Sequence, residues 1–242
     1  MTGRHSNAET KAEVENPMSL STALISVDVV TFQVINGQLM LLVKESQGTD
    51  GKPLYMLPAG RIEPRHDQSL DDAAERQLRM YSQQTISHLE QVETLGSPDR
   101  DSRGWSLTVV YLALLSSIKT SGTCQNTRWI KVTDGTPDMP LAYDHNKLVR
   151  KALDRLKNKI QYSSLPVYLL PEEFTLSDIQ TVFAAVLEKT PPMRSIRNRF
   201  LKEDLLIDTG HQRRGSNRPA ALYKVNKNSQ TWLFDRLYLS TQ

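Results

Sequence analysis

The sequence predicts an α+β chain in two parts: a sandwich of sheet and helices, then a smaller helical unit closed by a two-stranded ribbon. Three observations carry that expectation. Up to Ile160, alternating apolar runs interleave with only two amphipathic helical stretches. Pro166 and Pro171 then punctuate the chain. Beyond them, two helical stretches in close succession precede two short β-rich runs. The 242 residues leave room for one large or two modest domains. An apolar share of 38% and a charged share of 24% exclude collagen, coiled coil and wholesale disorder.

The elements follow in order. Met1 to Pro17 is polar and mixed in charge, without the apolar core of a signal peptide, so residues 1–20 are expected to be a flexible tail. Ser21 to Val43 alternates around Asn36-Gly37, the signature of a tight hairpin. Leu54 to Gly60 reads as a short strand ending in a turn. Ser69 to Tyr81 reads as a helix: Ser69 can cap it, Asp71 and Asp72 suit its first turn, and Leu70, Ala73, Ala74, Gln77 and Leu78 form its inner stripe. Glu93 to Gly96, Ser106 to Leu115 and Thr127 to Val132 are expected strands, and Asp144 to Lys159 a charged amphipathic helix. In the second part, Thr175-x-x-Asp178 forms a capping pair that opens a helix reaching Lys189, and Pro191-Pro192 opens another reaching Asp204. Leu205 to Asp208 and Ala221 to Val225 are short strands joined by the basic tip Gly210 to Pro219. Helix, turn, helix and two-stranded wing is the order of a winged helix-turn-helix.

The formal net charge of +3 is a difference between regions. From Lys189 to Asn228 there are ten Lys and Arg against three Asp and Glu, a local +7 that leaves the remainder at −4. On a helical wheel, Met193, Ile196 and Phe200 share one face, with Arg197 snorkelling at its edge. Arg194, Ser195, Asn198, Arg199 and Lys202 fall on the other face and offer donors for phosphates and base edges. Arg213, Arg214 and Arg218 on the wing complete the expected DNA-binding set. The lone Cys124 cannot form an intramolecular disulfide, and no apolar run approaches the ~18 residues of a membrane span. Both suit a cytoplasmic protein. His66, His88, His145 and His211 lack metal-ligand spacing and are read as structural or exposed.

Leu57-Pro-Ala-Gly60 and the helix after it resemble a Nudix box, a loop–helix–loop that hydrolyses nucleoside diphosphates linked to another group. The family pattern is Gly, five residues, Glu, seven residues, then Arg-Glu-hydrophobic-x-Glu-Glu. Its glutamates hold Mg²⁺. Gly60, Arg76 and Leu78 fit. The helix glutamates, however, fall on Gln77, Met80 and Tyr81, and the upstream one on Gln68 after about two extra loop residues. None supplies a carboxylate, so no metal site, cofactor or catalytic residue is expected.

A Nudix-like sandwich followed by a winged helix resembles the Nudix-related transcriptional regulators, the NrtR family. Other stretches similar to that family are the Gly96–Trp105 loop with the strand after it, Ala142-Tyr-Asp-His145, Leu169 to Leu176, and the wing from Arg213 to Ala220 with Leu222-Tyr223. The resemblance implies a sensor over residues 21–162 and a DNA-binding domain over 163–242. It implies a bacterial homodimeric repressor of NAD-metabolism genes that grips a palindromic double-stranded operator and senses ADP-ribose or a related nucleotide. With no metal, the effector pyrophosphate needs another counter-charge: Arg61, Arg100 and Arg103 are the candidates, with Trp105 or Tyr81 stacking on the base. Arg76 is read as a brace for the box loop. Two alternatives stay open, an active ADP-ribose pyrophosphatase and a related regulator of sugar metabolism.

Overall fold

A computed structural model describes residues 23–101, 103–116, 124–202, 204–214, 219–229 and 233–234, with Lys202 described by its backbone alone. The expected tail over residues 1–20 and the wing residue Arg218 lie outside the described residues. Asn36 and Gly37, both with positive φ (50° and 74°), form the tight turn between β1 (Leu24–Ile35) and β2 (Gln38–Gln47). That hairpin is the centre of one mixed sheet. β6 (Ser106–Leu115) lies parallel to β1, and β5 (Ile86–Ser97) closes the edge beside β6. On the other side come β7 (Thr127–Thr133) and the two-residue β8 (Thr136–Pro137).

The expected strand over Leu54 to Gly60 is two. β3 (Pro53–Met56) pairs with β2, and β4 (Ala59–Arg61) pairs with β1. Leu57-Pro58 makes the crossing between them, where Pro58 has no N–H to give to a ladder and its carbonyl accepts from Val29 N–H (2.8 Å). β5 is also longer than expected. Two register shifts break its alternation, so only its C-terminal end reads as a strand in sequence.

Residue alternation along β1 divides two layers. Val27 and Val29 pack with Ala73, Ala74 and Leu78 of α1 (Leu70–Arg79). Val30, Phe32 and Val34 face Leu148, Ala152, Leu153 and Leu156 of α2 (His145–Lys159). Ser69 caps α1 by accepting from Asp72 N–H. Leu70, expected on the inner stripe, is 38% exposed because it stands in the first turn, beyond the sheet's cover.

The second layer's core does not stop at the end of α2. Leu165 to Leu169 forms a single 3-10 helix, with Pro166 inside its first turn where the sequence suggested only a break, and its buried side chains join the same apolar cluster. α3 (Leu176–Leu187) begins with a complete capping box between Thr175 and Asp178 and ends at Glu188 in the left-handed region. α4 (Met193–Lys202) packs Ile196 and Phe200 against Phe183 of α3. β9 (Leu206–Arg213) and β10 (Ala220–Val225) form the separate two-stranded ribbon. Val30, Leu156, Ile160, Val167, Phe183 and Phe200 therefore belong to one continuous core. Among the described residues, no helix is long and apolar enough to cross a membrane.

Candidate effector site and DNA-binding face

The loop before α1 is held by Arg76. Its guanidinium donates to both Asp67 oxygens (Nε 2.7 Å, Nη2 2.7 Å), to Glu63 (3.0 Å) and to the Arg61 carbonyl (3.0 Å). The Arg76 hydrogen bond holds the Asp67 carboxyl down at about 2, well below the usual carboxylate range. Arg76 is thus the brace that the sequence suggested. Gln77 lies against Gly60, where an added Cβ would stand 2.3 Å from the amide. Oriented to satisfy both ends, that amide donates to the Ala59 carbonyl (3.1 Å) and accepts from Arg76 (2.8 Å).

The residues at the box's metal positions do not fit a Mg²⁺ site. Gln77 is neutral and bound within the protein, Met80 offers a thioether, and Tyr81 offers a phenol partly buried beneath Lys44. The nearby acids have other partners. Glu75 pairs with Arg79, Asp72 accepts from Gln68 N–H, and Asp71 accepts from the Tyr111 hydroxyl (2.6 Å).

A second polar group gathers where β1 and β6 begin. Asp28 and His145 are buried there. Asp28 accepts from the Thr108 hydroxyl (2.6 Å) and lies 3.3 Å from His145 Nε2. Leu57 N–H donates to His145 Nδ1 (3.0 Å), which places the ring proton on Nε2, toward Asp28. Arg100 reaches in from the 98–104 loop and grips Asp144 through two hydrogen bonds (2.8 and 3.1 Å), with Asp28 a further 3.8 Å away. Burial pushes the Asp144 carboxyl up, but the Arg100 fork outweighs it and the net shift is down.

Sequence reasoning did not single out Asp28 or Asp144 and read His145 as structural or exposed. The separation of residues 28, 100 and 145 along the chain carried no local signal. The three expected arginines lie at this end of the sheet. Arg100 is the inner one. Arg103 is exposed and paired with Asp101, and Arg61 is exposed on β4 within electrostatic reach of Asp101. Trp105 follows them, half exposed, with its ring over Gly96.

Tyr81 does not belong to this group. It follows α1 and packs with Val27, Val29 and Leu42 on the face of the sheet opposite Asp144 and α2. The box spacing that singled it out carried no information about which face of the sheet α1 covers.

On α4, Arg194 and Asn198 are exposed as expected, and Ser195 is half buried. Two neighbours differ from expectation. Arg199 does not point with them: it donates to the Gln161 carbonyl at the exit of α2 (2.8 Å) and stacks over Phe234 (5.2 Å). Arg197, expected to snorkel, is exposed instead. The physical reason is that α4 docks with its Ile196 flank, which carries residue 199, toward the end of α2. The side chain of Lys202 lies outside the described residues. On the wing, Arg214 is exposed, while Arg213 pairs with Asp178 of the α3 capping box (2.9 Å) and His211 with Glu173.

A mixed sheet between two helices, with a Leu-Pro-x-Gly loop entering one of them, defines a Nudix-type sandwich. Two packed helices and a ribbon joined to its core define a winged helix-turn-helix. Comparison with known proteins agrees with this class. The model of the NrtR DNA-binding winged helix domain matches residues 166–225. The ADPR responsive transcriptional repressor NtrR of Acinetobacter baylyi is 31% identical over 217 residues, covering 88% of this chain and 86% of the relative. NrtR of Shewanella oneidensis, solved in complex with a 27mer DNA, superposes with a TM-score of 0.77 at 35% identity, over 88% of this chain and 98% of that one. A MutT/nudix family protein of Enterococcus faecalis, 21% identical over 86% of this chain and 89% of its own, shares the fold with a TM-score of 0.68. The chain belongs to the NrtR family of transcriptional regulators.

Proposed function

We propose that the chain is a homodimeric repressor of NAD-metabolism genes that binds a palindromic operator and is controlled by ADP-ribose or a related nucleotide. In this reading residues 21–162 form the sensor and 163–242 the DNA-binding domain. Arg61, Arg100, Arg103 and Trp105 form the effector site. Arg194, Ser195, Asn198 and Lys202 of the second helix meet the operator, with Arg197 added to that face and Arg213, Arg214 and Arg218 following on the wing.

The observation that carries the reading is the pairing of an arginine-rich rim with a Nudix helix that has no carboxylate at its metal positions. Guanidinium forks match pyrophosphate oxygens bidentately and need no metal to do so. Arg100 reaches a phosphate only by exchanging Asp144 for it. The sensor binds its effector without hydrolysing it, so occupancy follows effector concentration. The names of the Acinetobacter and Shewanella relatives support the repressor and DNA-binding parts of this reading.

Fluorescence anisotropy with duplexes that carry palindromes from upstream of NAD-metabolism genes in the same genome tests it. The protein binds in the nanomolar range typical of specific recognition, and ADP-ribose releases it. Operator affinity indifferent to ADP-ribose defeats the effector assignment. Mg²⁺-dependent release of AMP from ADP-ribose defeats the non-catalytic one.

A further inference from the structure

Tyr143 is the most exposed aromatic among the described residues, with 74% of its surface in water. It is also held in an uncommon conformation, with φ of +57°. Of the six non-glycine described residues with positive φ, four are Asn or Asp, which tolerate that region, and Glu188 ends a helix. Tyr143 has neither excuse.

The turn is clamped on both sides of it. Ala142 N–H donates to the Tyr55 carbonyl (2.8 Å). Asp144 is gripped by Arg100, and His145 is fixed between Leu57 N–H and Asp28. The neighbours' bonds thus over-determine a backbone that points a large ring outward. Residues held in such sparsely populated conformations by their surroundings cluster at functional sites. The His145 ring lies beneath, 5.5 Å away and tilted by 55°, and Arg103 is within electrostatic range. An open ring therefore stands beside the rim that carries Arg61, Arg100 and Arg103, the last two paired with Asp144 and Asp101.

We propose that Tyr143 is the platform on which the base of a nucleotide effector stacks, its diphosphate lying across the neighbouring arginines. This rests on the nucleotide-effector reading above. It assigns to Tyr143 the stacking role that the sequence offered to Trp105 or Tyr81, and it makes the site specific for a nucleoside diphosphate over a bare phosphorylated sugar. A π-face is common to all bases, so the ring supplies affinity, while discrimination among bases lies elsewhere.

Isothermal titration of the full chain with ADP-ribose, and with inorganic pyrophosphate as the ligand without a base, tests this. Tyr143→Gly suits the positive φ and keeps the turn, so its thermal midpoint should equal or exceed the wild type. It should lose roughly 10- to 100-fold in ADP-ribose affinity, with pyrophosphate affinity unchanged, and Tyr143→Phe should stay within about threefold of wild type. Retained ADP-ribose affinity in Tyr143→Gly overturns the platform and leaves the effector reading standing. An equal loss for pyrophosphate also overturns it, because the residue would then act through the arginines. A wild-type protein that binds no ADP-ribose overturns both.

Discussion

Replacing Arg199 with alanine should destabilise the protein without weakening its phosphate contacts. The guanidinium gives a charge-assisted hydrogen bond to the Gln161 carbonyl at 2.8 Å and covers the Phe234 ring at 5.2 Å. A hydrogen bond involving a charged group contributes about 1.5–3 kcal/mol. A partly exposed cation–π contact adds about 0.5–1 kcal/mol. The residue is only half buried, so the lower end of each range applies and the loss is about 2 kcal/mol. For a chain of this size that corresponds to a fall of roughly 4–8 °C in the melting midpoint. Operator binding measured by anisotropy across a salt series should keep its slope, since each lost phosphate contact would lower that slope by about 0.9. Arg197→Ala should do the opposite: an unchanged midpoint and a slope smaller by about one. Arg199→Lys separates the two roles further. Lysine restores a phosphate contact but not a planar stack, so the variant should remain unstable. An unchanged midpoint for Arg199→Ala together with a reduced salt slope would refute the assignment and return Arg199 to the DNA face.

Three further outcomes follow from the same geometry. The Asp67 carboxyl sits at about 2 in the folded protein, below its ordinary 3.8, so its pairing with Arg76 stabilises the fold above pH 4 and is lost as pH falls toward 2. The gap in melting temperature between wild type and Asp67→Asn should therefore be full at pH 5 and closed near pH 2, and a gap that persists there contradicts the brace. Gly96→Ala places a Cβ 2.5 Å from the Trp105 ring, which must swing outward, so tryptophan emission should shift to the red, and an unshifted spectrum would mean the ring does not lie over that glycine. Phe200 is fully buried between Phe183 and Phe234, so Phe200→Ala should cost about 3–5 kcal/mol. Because its core is continuous with that of the sandwich, calorimetry should show one transition moving as a whole, not the winged helix melting separately.

The elements that sequence located well are those whose signals are local. The Asn36-Gly37 turn, the Ser69 and Thr175 caps and the apolar stripe of α2 each depend on residues within one or two helical turns, so short-range chemistry specifies them. The errors arise where partners are distant. β5 is largely hidden because its bulges disturb the alternation and because Lys151 and Lys159 of α2, far along the chain, pair with its Glu93 and Glu90. The short Thr136–Pro137 strand exists only through its pairing with Val132 and Thr133.

The site divides along the same line. Spacing alone put Gln77, Met80 and Tyr81 level with the glutamates of the Nudix pattern, since that is a statement about which residues stand where. Which arginine is available is a different question, because it turns on competition among carboxylates that only the fold brings together. Arg100 meets Asp144 across 44 residues and has Asp28 behind it, whereas Arg103 finds Asp101 two residues away and remains exposed. The inner arginine is consequently a guanidinium with a resident anion. A phosphate that takes it must displace a bidentate carboxylate from the entrance of α2, and at its other end α2 leads to the Gln161 carbonyl that holds Arg199 of α4. Arg100, which we propose meets the effector, and Arg199, which fixes α4, are thus attached at opposite ends of one helix of about 22 Å. Neither attachment could be read from α2's own sequence, because both partners lie outside it.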